Sequence, residues 1–366
     1  MVMERRCALG WLLLLLAAQQ VAAFSDLVVF GDSLSDQGNT DAATLGVFPG
    51  FSYDNGRFSN GPVYTEHLAS LLGLDPITRS GAGGNNFAFG GAETAGPGGF
   101  SGLFLNGLDE QVDEYTSEQE ADPNALHIIW AGANDLLAEQ LDFSIPAGNI
   151  ASEINALHTG GARQFLVINL PDLGVTPRFN GDAIESADYT ARTDSFNAEL
   201  ALAVAEVETM LAGSNVRLFD VNMVFDELIA DPAAFGLTNT SDAFLNGSAG
   251  EASDYLFFDE LHPTTNVHAL LADEILALLN TIEGDFNSDG VVDAADFTVL
   301  RDSGLGLDAL DTFQNAFGNT SSLPVATTST QAVPEPAAVL LLLFGQVLWL
   351  SRDRQGAKRR THTIAT

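Results

Sequence analysis

The chain has 366 residues, 46% hydrophobic and 17% charged, an apolar content that rules out disorder along its whole length. That length points to one large domain, or two, with appendages. Acidic residues number 49 against 14 basic, a formal charge of -35. So negative a surface repels phosphate backbones, which argues against nucleic acid as a partner and favours divalent cations. The only cysteine, Cys7, lies in a segment expected to be removed, so the mature chain can form no internal disulfide.

Residues 1–23 read as an export leader. Met1 to Arg6 carries two arginines, Ala8 to Ala18 is apolar, and Val21-Ala22-Ala23 offers small residues at the exit. That order is a secretory signal peptide with cleavage expected after Ala23. Its apolar run is shorter than the roughly 20 residues of a membrane span.

From Phe24 to about Glu283 apolar strand patterns alternate with helical ones. Asp26–Phe30, His127–Trp130, Gln164–Asn169 and Val216–Asp220 are short apolar runs of the kind buried in parallel sheets. Helices are predicted over Gly61–Leu72, Ala147–His158, Ala191–Leu211 and Thr264–Leu279. In the last, Val267, Leu270, Leu271, Ile275 and Leu278 recur at helical spacing. This alternation predicts an α/β fold with a central parallel sheet covered on both faces, three layers in all. Ser80–Gly102 is rich in glycine and is expected to be a long functional loop.

Chemistry gathers at four places along that stretch. Gly31-Asp32-Ser33-Leu34-Ser35-Asp36 follows the first strand, where parallel sheets present their active sites. Alone it is weak, since a helix-capping serine looks similar. Far downstream, Phe258-Asp259-Glu260-Leu261-His262-Pro263 sets a carboxylate three residues before a histidine. A neutral imidazole takes the proton of a serine hydroxyl, and a carboxylate on its other nitrogen fixes the tautomer. Between them, Asn86–Gly91 ends in a glycine pair whose backbone can approach substrate closely. Gly132-Ala133-Asn134-Asp135 follows another strand, where the Asn134 amide can donate to an oxyanion. His67, His127 and His158 are expected in packing or surface roles, His268, within two turns of His262, in a structural role or as a support behind His262, and no Cys or His cluster has zinc spacing. The acidic run Asp109–Asp122 reads as a solvated face.

After Glu283 the character changes. In Asp285-Phe286-Asn287-Ser288-Asp289-Gly290-Val291-Val292-Asp293-Ala294-Ala295-Asp296 the oxygen-bearing side chains Asp285, Asn287, Asp289, Asp293 and Asp296 fall at calcium-loop positions 1, 3, 5, 9 and 12. Gly290 sits at the sharp turn, and Val291 can offer its carbonyl. An Asp at the last position makes the ligand set resemble that of dockerin modules, an EF-hand-like arrangement. Dockerins carry two such loops. Asp308–Phe317 keeps only the helical part of a second, which argues against a cohesin-like partner. Residues 284–320 are therefore expected to form a small Ca2+-dependent module, and 321–332 a Ser/Thr linker. Beyond it, Val333-Pro334-Glu335-Pro336 precedes an apolar run, Ala337–Leu350, broken at Gln346, and a tail containing Arg352, Arg354, Lys358, Arg359 and Arg360. Basic residues hold that tail on the cytoplasmic side. The order over residues 333–360 resembles the PEP-CTERM sorting signal. This implies a short, transient inner-membrane helix, processing by an exosortase-type enzyme, and an extracellular or cell-surface destination.

The segment from about Ser25 to Asn280 resembles the GDSL, or SGNH, hydrolases, and it carries all four of that family's blocks. The resemblance implies Ser33 as nucleophile, His262 as general base and Asp259 as orienting acid. It further implies an oxyanion hole of the Ser33 N–H, the Gly91 N–H and the Asn134 side chain, with no cofactor in the chemistry. Gly91 is preferred to Gly90 on its offset from Asn86. Gly56–Pro62, Asn169–Gly174 and Ser195–Asn197 look like the esterase/lipase branch related to plant and thermolabile-haemolysin enzymes, whose frequent Trp is Phe258 here. The resulting expectation is a secreted serine ester hydrolase acting on an ester or lipid through an acyl-enzyme. Phe48, Phe51 and Phe100 are loop candidates for an acyl pocket, although most of the 24 Phe read as core. An O-acetyl esterase on extracellular polysaccharide and a non-catalytic matrix or adhesion protein on the same fold remain the alternatives.

Overall fold

The computed structural model describes residues 24–96, 106–247, 249–281, 284–287, 291–303 and 307–318. All of them belong to one of the chain's two compact units, Met1–Pro324; the other, Val325–Thr366, lies outside the described residues, as does the leader.

The four apolar runs become β1 (Leu27–Gly31), β2 (Leu126–Trp130), β3 (Gln164–Ile168) and β4 (Asn215–Phe219) of one parallel sheet, in the order β1-β2-β3-β4. Val29 stands opposite Ile128, and Ile128 opposite Leu166. Every residue of β1 and β2 is buried. Successive side chains point to opposite faces, so both faces must be covered. Helices do this in two packed groups: α2 (Tyr64–Leu72) lies on α8 (Thr265–Asn280), while α5 (Ser144–Thr159) lies on both α3 (Leu108–Glu118) and α6 (Ala183–Met210). Short helices α1 (Asn39–Ala43) and α4 (Ala133–Leu137) begin just past β1 and β2, and α7 (Val221–Ala230) follows β4.

Two features depart from the sequence expectation. Helix α6 starts at Ala183, well before Ala191, because the Asp182 carboxylate accepts the N–H groups of Ile184 and Glu185 and nucleates a polar, exposed first stretch that has no apolar periodicity. A parallel pair, β5 (Asn239–Ala243) with β6 (Tyr255–Phe257), was unforeseen, since Asn-Thr-Ser-Asp-Ala is too polar to read as a strand.

The outer edge of β1 is closed by the glycine-rich region itself. The Val29 N–H donates to Asn85 O (2.9 Å), Phe87 N–H to Val29 O (2.7 Å) and Phe89 N–H to Gly31 O (3.1 Å). The buried Gln111 side chain of α3 completes the edge, its Oε1 accepting from Gly31 N–H and its Nε2 donating to Gly31 O. At Gly31 a Cβ would stand 2.1 Å from the Trp130 carbonyl oxygen, so only glycine lets β1 end beside β2. Further along, α9 (Ala294–Ser303) and α10 (Leu307–Ala316) share a small apolar cluster of their own, built on Val292, Leu300, Phe313 and Ala316.

Candidate active site

Ser33 follows β1 at the C-terminal end of the sheet, in a turn fixed by Asp32, whose Oδ1 accepts the Leu34 N–H at 3.0 Å. Asp32 is buried, and burial pushes its pKa up to about 7. Its other oxygen has no hydrogen-bond partner among the described residues.

Across the site, β6 delivers Phe258 to Pro263. The Phe258 N–H donates to His262 O (2.7 Å), which folds Asp259 and His262 into one tight turn. Asp259 Oδ1 accepts the N–H groups of Leu261 (2.8 Å) and His262 (2.7 Å). Its Oδ2 lies 2.7 Å from His262 Nδ1, and His262 Nε2 lies 2.8 Å from Ser33 Oγ. Ser33 thus joins Asp259 and His262, more than two hundred residues downstream, in one continuous hydrogen-bonded series. Burial alone would raise the Asp259 pKa, but the His262 charge and these bonds outweigh it and hold the carboxylate well below its ordinary range. Burial likewise pulls His262 down, and the Asp259 charge reverses it, leaving the imidazole above its ordinary value.

The two glycines after Phe89 differ in use. Gly90 N–H is taken by Asp36 Oδ2 (3.0 Å) and Thr40 Oγ1 (2.7 Å), and a Cβ there would strike the Phe58 ring at 2.3 Å. Gly91, with φ +83, borders the cavity in front of Ser33, and its N–H has no acceptor among the described residues. Asn134, in the first turn of α4, borders the same cavity; one N–H of its amide is spent on Ala92 O (2.9 Å), leaving the second. The structure therefore brings Ser33, Asp259, His262, Gly91 and Asn134 to one rim of the sheet.

That rim opens into a cavity of about 890 Å3. Its walls are mostly apolar, with Leu45, Phe48, Phe58, Leu137, Leu173 and Phe225 among them. Of the expected pocket phenylalanines, Phe48 lines it, Phe51 is fully exposed outside it, and Phe100 lies outside the described residues.

Sequence reasoning missed two supports. Tyr53 donates its hydroxyl to Asp259 Oδ2 at 2.7 Å and packs edge-on against Phe258 at 5.4 Å between ring centroids. Asp36, buried, accepts N–H groups from Gly38, Asn39 and Thr40 as well as Gly90, tying α1 to the glycine pair. Only the acidic spacing around Ser33 hinted at Asp36; nothing in a loop without periodicity marked Tyr53. Phe258 is buried among Tyr53 and Phe244, a packing role as expected. His268 is also structural: its buried Nδ1 accepts the Tyr64 N–H, and burial lowers its pKa to about 3.

Of the expected calcium ligands, Asp285, Asn287, Val291, Asp293 and Asp296 are described and Asp289 is not. Asp296 is buried in the first turn of α9, its Oδ1 accepting from Asn287 N–H (3.0 Å) and its Oδ2 from Asp293 N–H (2.8 Å). Among the described residues no three His, Cys, Asp or Glu side chains gather closely enough to hold a metal. No helix among them is long and apolar enough to cross a membrane, and the Ala337–Leu350 run lies outside them.

A serine, an imidazole and a carboxylate in hydrogen-bonded succession, beside free amide donors, are the parts of a nucleophilic acyl-transfer enzyme. Residues 27–275 match the model of the GDSL-like lipase/acylhydrolase family, and the chain belongs to it; it is a carboxylic ester hydrolase of that class. It is 32% identical over 248 residues to the phosphatidylcholine-sterol acyltransferase of Aeromonas hydrophila, a match covering 66% of this chain and 72% of that protein. Against the thermolabile hemolysin of Vibrio parahaemolyticus the identity is 29% over 290 residues, covering 73% of this chain and 66% of the other. Against the esterase EstA of Pseudomonas aeruginosa it is 31% over 320 residues, covering 70% of this chain but only 47% of EstA, about half its length.

Proposed function

We propose that Ser33 is the nucleophile of a hydrolase acting on esters with long, apolar acyl groups. Ser33 Oγ attacks the ester carbonyl as His262 Nε2 takes its proton. The N–H groups of Ser33 and Gly91 and the Asn134 amide then receive the negative oxygen. The tetrahedral species collapses, the C–O bond to the alcohol breaks, and His262 returns its proton to the departing alkoxide. Water repeats the sequence on the acyl-serine, giving the free acid and the starting enzyme. The observation carrying this reading is the 2.8 Å approach of His262 Nε2 to Ser33 Oγ. The apolar cavity favours a lipid-like acyl chain over acetyl, and the relative named for acyl transfer from phosphatidylcholine supports a lipid ester as donor. Ser33→Ala is expected to lower turnover of a dissolved short-chain chromogenic ester by about four to six decades. Retention of more than a tenth of the activity overturns the assignment.

The leader and the PEP-CTERM-like tail support export with exosortase-type processing. The dockerin-like spacing supports Ca2+ on the oxygens of Asp285, Asn287, Asp289, Asp293 and Asp296 and the Val291 carbonyl. Asp296 suits such a loop as a buried carboxylate in the first turn of α9 that accepts the N–H groups of Asn287 and Asp293, two other members of the expected ligand set. Titration calorimetry of the full chain with Ca2+ tests this; no heat of binding, or the same heat after Asp296→Ala, refutes it.

A further inference from the structure

We propose that the segment Leu45–Phe51 is the surface by which this protein seats itself on a neutral lipid bilayer, with its acyl cavity opening into that layer. The inference rests on the lipid-ester reading above and adds the place where substrate is met.

The segment exposes an unusual run of large apolar side chains: Leu45 is 91% exposed, Val47 64%, Phe48 40% and Phe51 103%. Soluble surfaces scatter such residues singly; clustered ones mark an interaction site. Leu45 is held at φ +56, a conformation that costs a bulky residue about 1–2 kcal/mol, although its side chain is left in solvent. The segment's backbone donors up to Phe48 are satisfied internally. The N–H groups of Thr44, Leu45, Gly46 and Val47 donate to the carbonyls of Thr40, Ala42, Asp41 and Thr44. The Phe48 N–H donates to Thr44 Oγ1, and Pro49 has no N–H. Each N–H from Thr44 to Phe48 thus has a partner within the chain, which removes part of the penalty that lipid sets on a backbone.

The occupant follows from continuity and charge. Leu45, Val47 and Phe48 also line the substrate cavity, so whatever covers this segment stands at the mouth through which an acyl chain enters. A second copy of the chain seated there would obstruct its own substrate, whereas a bilayer supplies it. Between Asp41 and Asp54 the sequence has no charged residue, and the whole chain carries -35. Anionic lipid surfaces repel such a protein, and a zwitterionic surface does not.

Phe51, which lies outside the cavity, is the position to change. In the full chain, Phe51→Ser is expected to lower the hydrolysis of p-nitrophenyl palmitate embedded in phosphatidylcholine vesicles by on the order of tenfold. Hydrolysis of dissolved p-nitrophenyl butyrate should stay within twofold. Equal loss on both substrates, or no loss on either, overturns the proposal. In a second measurement, an environment-sensitive fluorophore is placed on Phe51→Cys in a Cys7→Ser background. Its emission should shift to the blue with phosphatidylcholine vesicles, and less with phosphatidylglycerol. No shift refutes the proposal, and a shift that grows with protein concentration without lipid assigns the patch to a second copy instead. Were the wild-type chain inert on dissolved butyrate, the hydrolase reading would fail while the fluorescence result still decided the surface.

Discussion

Tyr53→Phe deletes one hydroxyl and tests the catalytic series at its least obvious link. Asp259 accepts from Leu261 N–H, His262 N–H and His262 Nδ1, and Tyr53 is its fourth donor, at 2.7 Å. A hydrogen bond to a charged group contributes about 1.5–3 kcal/mol. The phenyl ring keeps its edge contact with Phe258 at 5.4 Å, so the loss is confined to that bond. With one donor fewer, the Asp259 charge is less neutralised and acts more strongly on His262. The imidazole, already held above its ordinary value, then rises further. Catalysis needs it neutral, so activity falls as pH drops through the His262 pKa, and a higher pKa moves this acid limb upward. The expected outcome is kcat/KM lower by about 3- to 30-fold at pH 7, corresponding to about 0.7–2 kcal/mol. The acid limb should move up by about half a unit to one unit, and part of the loss should be recovered at pH 9. Hydrolysis of a dissolved chromogenic ester from pH 5 to 9 measures all three. Activity within twofold of wild type at every pH, or an acid limb displaced downward, refutes the role given to Tyr53.

Two other outcomes are expected. Asn134→Ala should cost about a hundred- to a thousandfold in kcat with little change in Tm; less than threefold would remove Asn134 from the oxyanion hole. Glu153, pushed up to about 7 first by burial and then by Asp109 and Asp113, costs stability as pH rises from the ordinary carboxylate range toward that value, above which the cost is complete. Glu153→Gln should therefore raise Tm by about 2–4 °C at pH 8 and leave it unchanged near pH 4.5, by calorimetry; equal shifts at both pH values would refute the electrostatic cause.

Much of this architecture was legible in the sequence because its signals are local. Strands β1 to β4 announce themselves as continuous apolar runs, since strands buried on both faces have no polar side to show. Helix α8 is legible from its 3.6-residue period, and Ser33, Asp259 and His262 from residue types whose spacing suits one turn each. What was not legible depends on tertiary meeting. Tyr53 reaches Asp259 across 206 positions, from a loop with no pattern. Gln111 looks like an ordinary polar residue of an acidic helix, yet it is buried as the cap on Gly31. The choice of Gly91 over Gly90 gains its physical reason only when Asp36 and Thr40 are seen to occupy the Gly90 N–H.

The strip Asn85–Phe89 serves two ends at once. It seals the exposed margin of β1, and it hands the chain on to Gly91, which borders the same cavity as Ser33. Peeling it away would unmask a row of unpaired backbone groups of the kind that templates clumping between molecules, in the same motion that displaces Gly91 from the cavity wall. Heat inactivation and turbidity should therefore set in together, with no dead but still dispersed species between them.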